Sequence, residues 1–427
     1  MSLGVFFLLF FVLLLIGVPI YLSMLVPSIF YLALNNMSLM MIAQKCMNGL
    51  NSFTLIAIPF FIMAAQVMNS GSVTTRIFNF CRSLVGHFKG GLGYVNVLSS
   101  VIFSGMSGSA VADVGGLGQV EIKAMRDAGY DEGFTIGVTA ASGTIGPIIP
   151  PSIPFVVYAT YSGASTGALF MAGILPGAFM ALVLCVMCYF MAKKTNSPSD
   201  KKATKKEIWK AFKDSILAIL MPLIIIGGIW TGLVTPTEAA LVAILYALIV
   251  SGLVFRELSF KKLGQIVMET IDNTMPIMLV IAAATIFSFI VSYERLDVIL
   301  LNFFTNLTSS PMVILLCIDL MVIILGMFFD CTVIVMLLTP LLVPLAATFG
   351  LSMVHIGVIV VLNAMIGLIT PPVGYSLYVL NSVTGYPVMK IARWCAVWMI
   401  PLVFTLLVIT VCPEISLFIP KILGIIK

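Results

Sequence analysis

Two diproline motifs set the terms on which this chain can fold. Ile145-Gly146-Pro147-Ile148-Ile149-Pro150-Pro151 recurs 221 positions later as Ile366-Gly367-Leu368-Ile369-Thr370-Pro371-Pro372, and each copy interrupts an apolar segment. Proline has no N–H to donate and pushes the preceding residue out of the α region, so neither segment continues as a helix through its motif. Of the 427 residues, 61% are hydrophobic and 9% charged, against about 25% charged in a soluble domain. The chain therefore reads as an all-α polytopic membrane protein. In hydrocarbon an opened backbone costs several kcal/mol per unsatisfied group, so it survives only where protein buries it or where it lines a cavity. A second pair keeps the same offset, Gly105-Met106 against Gly326-Met327. Two features with one spacing imply an internal repeat.

The first repeat is assigned to residues 1–192, with scaffold helices over 3–68, a hairpin over 92–118, a broken helix over 134–161 and a helix over 167–192. As one helix, the stretch 3–34 would be about 48 Å long against a ~30 Å hydrocarbon core. It reads instead as two short helices meeting near Gly17-Val18-Pro19, with one long tilted helix as the alternative. Its start has no basic n-region and no small-residue cleavage site, as expected of mature membrane helix. The hairpin reading rests on Ser104-Gly105-Met106-Ser107-Gly108-Ser109-Ala110, small residues at the centre of 92–118. They allow a sharp turn at membrane depth; the alternative is a small-residue face for helix packing. The stretches 69–91 and 119–133 read as polar connections. A basic linker, 193–214, carries eight lysines. The second repeat, 215–427, follows with scaffold helices over 215–292, a hairpin over 312–347, a broken helix over 355–382 and a helix over 395–419.

Charge assigns a topology. If both hairpins enter and leave on one side, the segments 69–91, 119–133, 193–214, 256–273 and 383–394 share a face. That face carries 18 of the 22 Lys and Arg, leaving Lys45, Arg295, Lys421 and Lys427 opposite. By the positive-inside bias the linker 193–214 is cytoplasmic and, with 3–34 as two helices, both termini lie outside. The first hairpin then opens to the cytoplasm and the second to the outside, giving two inverted-topology repeats, each with a re-entrant hairpin and a discontinuous helix.

Inverted repeats with interrupted helices are the architecture of secondary transporters, which hold substrate and ions near the midplane. Broken helices and hairpin tips expose carbonyls that can ligate Na⁺. Candidate ligands at a first Na⁺ site are Ser104, Gly105, Ser107, Ser109, Gly143, Thr144 and Gly146; at a second, Gly326, Asp330, Asn363, Gly367 and Thr370. Ser107, Ser109, Pro150, Pro151, Thr370 and Pro371 are candidates to line the substrate. The hydroxyls and amide could equally satisfy opened backbone. Asp330 stands out as an ionisable residue inside a membrane segment, with a structural cap at the hairpin tip as its alternative. Asp113, Glu238 and Asp319 are weaker candidates, each able to serve as a paired structural charge. The two histidines, His87 and His355, form no metal or hydrolytic motif. Neither Gly90-Gly91-Leu92-Gly93 nor Gly115-Gly116-Leu117-Gly118 carries the Lys-Ser/Thr of a phosphate loop. No enzymatic site and no nucleotide are expected.

The tip Ser104-Gly105-Met106-Ser107-Gly108-Ser109-Ala110-Val111-Ala112-Asp113, the motif Gly143-Thr144-Ile145-Gly146-Pro147-Ile148-Ile149-Pro150-Pro151-Ser152 and the later Thr370-Pro371-Pro372-Val373-Gly374 resemble the large membrane subunit of the tripartite ATP-independent periplasmic (TRAP) transporters. The resemblance covers essentially the whole chain. It implies Na⁺-driven uptake of an anionic carboxylate, a sugar acid such as sialic acid or a C4-dicarboxylate, across a bacterial inner membrane. It also implies a four-helix small membrane subunit, a periplasmic substrate-binding protein and an elevator-type mechanism. The first 34 residues leave no room for a fused small subunit, so it is expected as a separate chain. A stand-alone divalent-anion/Na⁺ symporter is the alternative; saturable, gradient-dependent flux separates a carrier from a channel, and a purely structural scaffold leaves the recurrence in register unexplained.

Energetics bear on ion number. A tenfold Na⁺ gradient is worth ~1.4 kcal/mol and a charge crossing 100 mV ~2.3 kcal/mol. One Na⁺ with a monoanion is electroneutral and supports about tenfold accumulation. Two Na⁺ supply about 5 kcal/mol, roughly several thousandfold. The duplicated site makes at least two Na⁺ the expectation.

Overall fold

The computed structural model describes residues 1–426; Lys427, counted above on the outer face, lies outside the described residues. The described chain is helical throughout. Helix α1 (Leu3–Leu15) and α2 (Ile20–Leu34) are separate and antiparallel: the rings of Phe6 and Tyr31 meet at 5.8 Å, and the Met1 amino group donates to Asn35 Oδ1 at 3.0 Å. Helix α3 (Met40–Leu50) leads through a 3₁₀ turn (Phe53–Ile56) into α4 (Ala57–Asn69), with a 63° bend between them.

The stretch 69–91, expected as a polar connection, instead holds the amphipathic helix α5 (Val73–Val85). Its apolar face is buried through Val73, Ile77, Phe78 and Cys81, while its cations turn outward. Arg82 pairs with Asp200 at 2.7 Å, and Arg76 lies over the Phe255 ring at 4.2 Å. The first hairpin follows as α6 (Gly91–Ser107), the single turn α7 (Ala110–Ala112), a π turn (Asp113–Leu117) and α8 (Gly118–Asp127). Its second arm thus runs nine residues past the expected end at 118, because Ile122 and Met125 join Glu121 on a buried face.

The first broken helix is α9 (Glu132–Gly143) and α10 (Ile153–Ser162), and α11 (Thr166–Lys194) completes the half. Most of the basic linker is helical: α12 (Lys205–Trp230) begins well inside it, started by a reciprocal cap between Thr204 and Glu207. Trp209 and Phe212 then stack on each other, and Phe212 reaches Phe80 of α5 at 5.7 Å. Helix α13 (Pro236–Leu248) ends in a π turn (Ile249–Val254), α14 (Phe260–Tyr293) is the longest helix, and α15 (Leu296–Leu307) is short and largely exposed. The second hairpin is α16 (Pro311–Gly326) and α17 (Cys331–Phe349), and the second broken helix is α18 (Met353–Gly367) and α19 (Tyr375–Thr384). In place of a single closing helix there are α20 (Val388–Val411) and α21 (Glu414–Ile422), parted at Cys412 and Pro413. Among the described residues six helices, α11, α12, α13 with its π turn, α14, α17 and α20, are long and apolar enough to cross a bilayer, and the bent α3–α4 pair makes a seventh.

The halves pack reciprocally. Helix α2 lies on α14 and α4 on α13; α9 lies on α20 and α11 on α18. At the sequence offset of the diprolines, each pair maps onto the other. The broken helices occupy the centre: α9 is buried from Phe134 to Gly143 and α18 from Val354 to Gly367. A helix buried on every face is apolar all round, which is why neither shows an amphipathic pattern.

Candidate functional site

At the first break, α9 unwinds after Gly143. The N–H groups of Thr144, Ile145 and Gly146 turn back to the carbonyls of Ala141, Ser142 and Gly143 at 3.2, 2.9 and 3.3 Å. This tightened turn satisfies the donors the break frees, as a buried opening must. Ser152 then starts α10, accepting from Phe155 N–H at 3.3 Å while its hydroxyl donates to the Pro147 carbonyl. Both diprolines, Pro150-Pro151 and Pro371-Pro372, contain a cis peptide bond.

The first hairpin tip closes on this turn. Gly108 adopts φ +58°, a left-handed conformation costly for a residue with a Cβ, and a Cβ there would also come within 2.3 Å of the Pro151 carbonyl oxygen. A Cβ on Gly146 would sit 3.3 Å from the carbonyl oxygens of both Gly143 and Ser109. Backbone oxygens from hairpin and break therefore converge on one point. Beside them the buried Ser107 Oγ has no hydrogen-bond partner.

The other candidates are engaged elsewhere. Ser104 and Thr144 donate to carbonyls of their own helices, Val101 at 2.7 Å and Ala141 at 2.5 Å. Ser109 accepts from Ala112 N–H at 3.4 Å. Gly105 faces outward, where a Cβ would strike Pro222 of α12 at 2.4 Å; at that position the small residue serves helix packing.

At the second break the hairpin meets the broken helix still more tightly. A Cβ on Gly367 would lie 2.4 Å from the Cα of Gly326. The Met327 carbonyl accepts from both Val373 N–H and Gly374 N–H at 3.2 Å. Thr370 donates to the Ile366 carbonyl at 2.7 Å. Asp330 caps α17, its Oδ2 accepting from Thr332 N–H at 2.9 Å, which is its structural reading. Asn363 is tied to Asp319, donating to its carbonyl at 2.8 Å and to its Oδ1 at 3.1 Å, while its own Oδ1 has no partner. Asp319 also accepts from Thr410 at 2.8 Å, and Glu238 caps α13 with Thr235.

A matching link in the first half escaped the sequence reading. Ser142, 221 residues before Asn363, donates to Asn96 Oδ1 at 2.6 Å, and Asn96 donates to Thr139 at 2.8 Å. The readable signal was a lone amide inside an apolar arm. The two openings are also knit across the halves: α10 packs on α17 of the opposite hairpin, while α19 packs on the tip and π turn of the first. Pro150 and Pro151 are buried, whereas Pro371 is half-buried and Pro372 exposed.

Two backbone openings, the first buried and each met by a hairpin tip, in an apolar all-helical chain define a polytopic membrane transporter. Comparison with known proteins agrees. Residues 7–415 match the family model described as the Tripartite ATP-independent periplasmic transporter, DctM component, and the chain belongs to that family; it is a transport protein and not an enzyme. It is 43% identical over 406 residues to the sialic acid TRAP transporter large permease protein SiaM of Vibrio cholerae, covering 95% of each. It is 35% identical over 383 residues to the C4-dicarboxylate TRAP transporter large permease protein DctM of Pseudomonas aeruginosa, covering 90% of each. The sialic acid TRAP transporter permease protein SiaT of Haemophilus influenzae matches at 41% over 409 residues, which is 96% of this chain and 66% of SiaT. Among solved structures, the YdaH transporter of Alcanivorax borkumensis superposes with a TM-score of 0.60 at 14% identity, covering 90% of this chain and 87% of that one. That likeness is one of fold alone.

Proposed function

We propose that this chain is the permease subunit of a Na⁺-coupled importer of an anionic carboxylate, with Na⁺ carried as a co-transported substrate. The observation that carries the reading is the convergence of the Ser109 and Gly143 carbonyls on Gly146, with a second tip-on-break contact at Gly326 and Gly367. Carbonyl oxygens suit a hard monovalent cation. The unpartnered Ser107 Oγ and Asn363 Oδ1 are further donors of the right chemistry. The two half-helices α10 and α19 begin at the breaks, and their N-termini favour a carboxylate. Ser107, Ser109, Pro150 and Pro151 from one opening and Thr370 and Pro371 from the other are assigned to the substrate path.

The reciprocal packing of the halves supports an inverted repeat, in which the hairpin-bearing region moves against the scaffold in an elevator-type cycle. The inner membrane follows from the family the chain belongs to, and a cytoplasmic 193–214 segment and periplasmic termini from the distribution of basic residues. Sialic acid, or another sugar acid, is the leading substrate class because SiaM and SiaT carry that name; C4-dicarboxylates come second, through DctM. A small membrane subunit and a periplasmic binding protein complete the system. Uptake into proteoliposomes holding both membrane subunits, with the binding protein and a panel of acids added, tests this reading. Saturable uptake that needs Na⁺ and the binding protein is expected. Equal uptake by this chain alone would favour the stand-alone symporter, and uptake without Na⁺ would end the coupling claim.

A further inference from the structure

Glu121 lies where the sequence reads as a charged connection, yet its side chain is fully buried and neither carboxyl oxygen has a hydrogen-bond partner among the described residues. It sits on α8, in the second arm of the first hairpin, which packs against α5, α6, α9 and the π turn. The charged group that acts on it is another carboxyl, Asp113 in the π turn, itself 1% exposed. Asp113 has one oxygen accepting from the Ser100 hydroxyl at 3.2 Å and the other without a partner.

Among the described residues no cation answers this pair. On α5, Arg76 and Arg82 pair with Glu257 and Asp200, and the titratable group facing Glu121 is the Cys81 thiol. Helix α6 carries no Lys, Arg, Asp or Glu, and its Tyr94 lies against Cys185 and Cys188 of α11. The one charge on α9, Glu132, is taken by Arg126 of α8 at 2.8 Å. Lys123 is exposed.

An isolated carboxylate in such a place is strongly disfavoured even after relaxation, and a second carboxyl nearby raises that penalty. The neutral acid pays only for unmade hydrogen bonds, a smaller penalty. We propose that Glu121 is a proton-binding site: its carboxyl is held neutral by a bound proton in a dry pocket, and the hairpin's second arm stays packed against α5 and α6 only while that proton is bound. The step is a simple equilibrium in which the Glu121 carboxylate takes a proton from hydronium in the bathing solvent and releases water. Packing that requires the neutral form is weakened as pH rises, by tenfold in the opening equilibrium per pH unit once the carboxylate is favoured.

Infrared spectroscopy of the full chain in nanodiscs reads the protonation directly and needs no transport. At neutral pH the protonated-acid carbonyl stretch is expected in the wild type and lost in E121Q, with D113N as the control for the neighbouring group. If E121Q removes a carboxylate band instead, the proposal is wrong. Should E121Q fail to fold, an acid carbonyl in the wild type that survives in the D113N/D319N double variant and disappears at alkaline pH carries the same test; a double-variant spectrum with no such band overturns it. Hydrogen exchange of peptides spanning 110–127, corrected for intrinsic rates, tests the packing. It is expected to rise about tenfold per pH unit in the alkaline limb of the wild type and to stay flat in E121Q. Superimposable profiles would refute the link between proton and packing.

Discussion

Gly326 and Gly367 touch backbone to backbone, the first ending an arm of the second hairpin and the second ending α18 just before its break. The contact leaves no room for a methyl group: a Cβ on Gly367 would come within 2.4, 2.5 and 2.7 Å of the Cα, carbonyl carbon and carbonyl oxygen of Gly326. In a free helix, Gly→Ala gains up to about 1 kcal/mol. Here the obstacle is backbone, which cannot rotate aside. Gly367→Ala is expected to destabilise the protein by about 1–3 kcal/mol and to abolish uptake, checked by thermal unfolding in detergent and by proteoliposome flux. Wild-type stability would show that the hairpin does not dock where it is placed.

Gly146 makes a milder test of the first opening. Its missing Cβ would stand 3.3 Å from two carbonyl oxygens, close enough to crowd a bound cation without breaking the fold. Gly146→Ala is expected to raise the Na⁺ concentration for half-maximal uptake about tenfold, the equivalent of ~1.4 kcal/mol, with little change in thermal stability. An unaltered Na⁺ dependence would take Gly146 out of the site.

These openings were legible in the sequence because proline and glycine chemistry is local. A diproline breaks a helix whatever surrounds it, and the recurrence at one offset marked the repeat. Helices α3, α5 and α15 were not legible. Each is shorter than a span, and the polar residues on their outer faces, Lys45 and Arg76 among them, resemble those of a loop. What makes α3 and α5 helices is packing available only in the folded protein: Lys45 of α3 covers the Phe289 ring of α14 at 4.3 Å, and Val73, Ile77 and Phe78 of α5 are buried. Glu121 was missed for the same reason: the composition of α8, Gly-Gln-Val-Glu-Ile-Lys-Ala-Met-Arg-Asp, reads as solvated, and only tertiary packing decides which of its charges is buried. Asp330 shows the reverse case, a prominent acidic residue whose visible task is capping.

Asp330 permits a clean separation of roles. Asparagine caps a helix about as well as aspartate, while alanine forfeits about 0.5–2 kcal/mol. If the residue serves only as a cap, Asp330→Asn is expected to keep both stability and Na⁺-dependent uptake, and Asp330→Ala to lose stability alone. The ion-site assignment predicts that Asp330→Asn folds normally but loses Na⁺ coupling. Parallel thermal-shift and flux measurements on the two variants decide between them.

The Asn363–Asp319 link should behave as a buried polar pair. Asn363→Ala leaves Asp319 short of a side-chain donor and is expected to cost about 1–3 kcal/mol. Asn363→Asp sets a carboxyl against a carboxyl and is expected to cost more than the alanine variant. Denaturation midpoints for the two variants check the ordering, and a milder aspartate variant would mean that the pair is not held as described.

The central claim is that two backbone openings, one from each half, each bind a Na⁺ that moves with the substrate. Its most direct test is uptake by the complete proteoliposome system, titrated with Na⁺ while membrane current is recorded. The account predicts a Na⁺ Hill coefficient above one, with net positive charge entering for each monovalent anion taken up. A coefficient of one together with electroneutral uptake of a monovalent anion would contradict it.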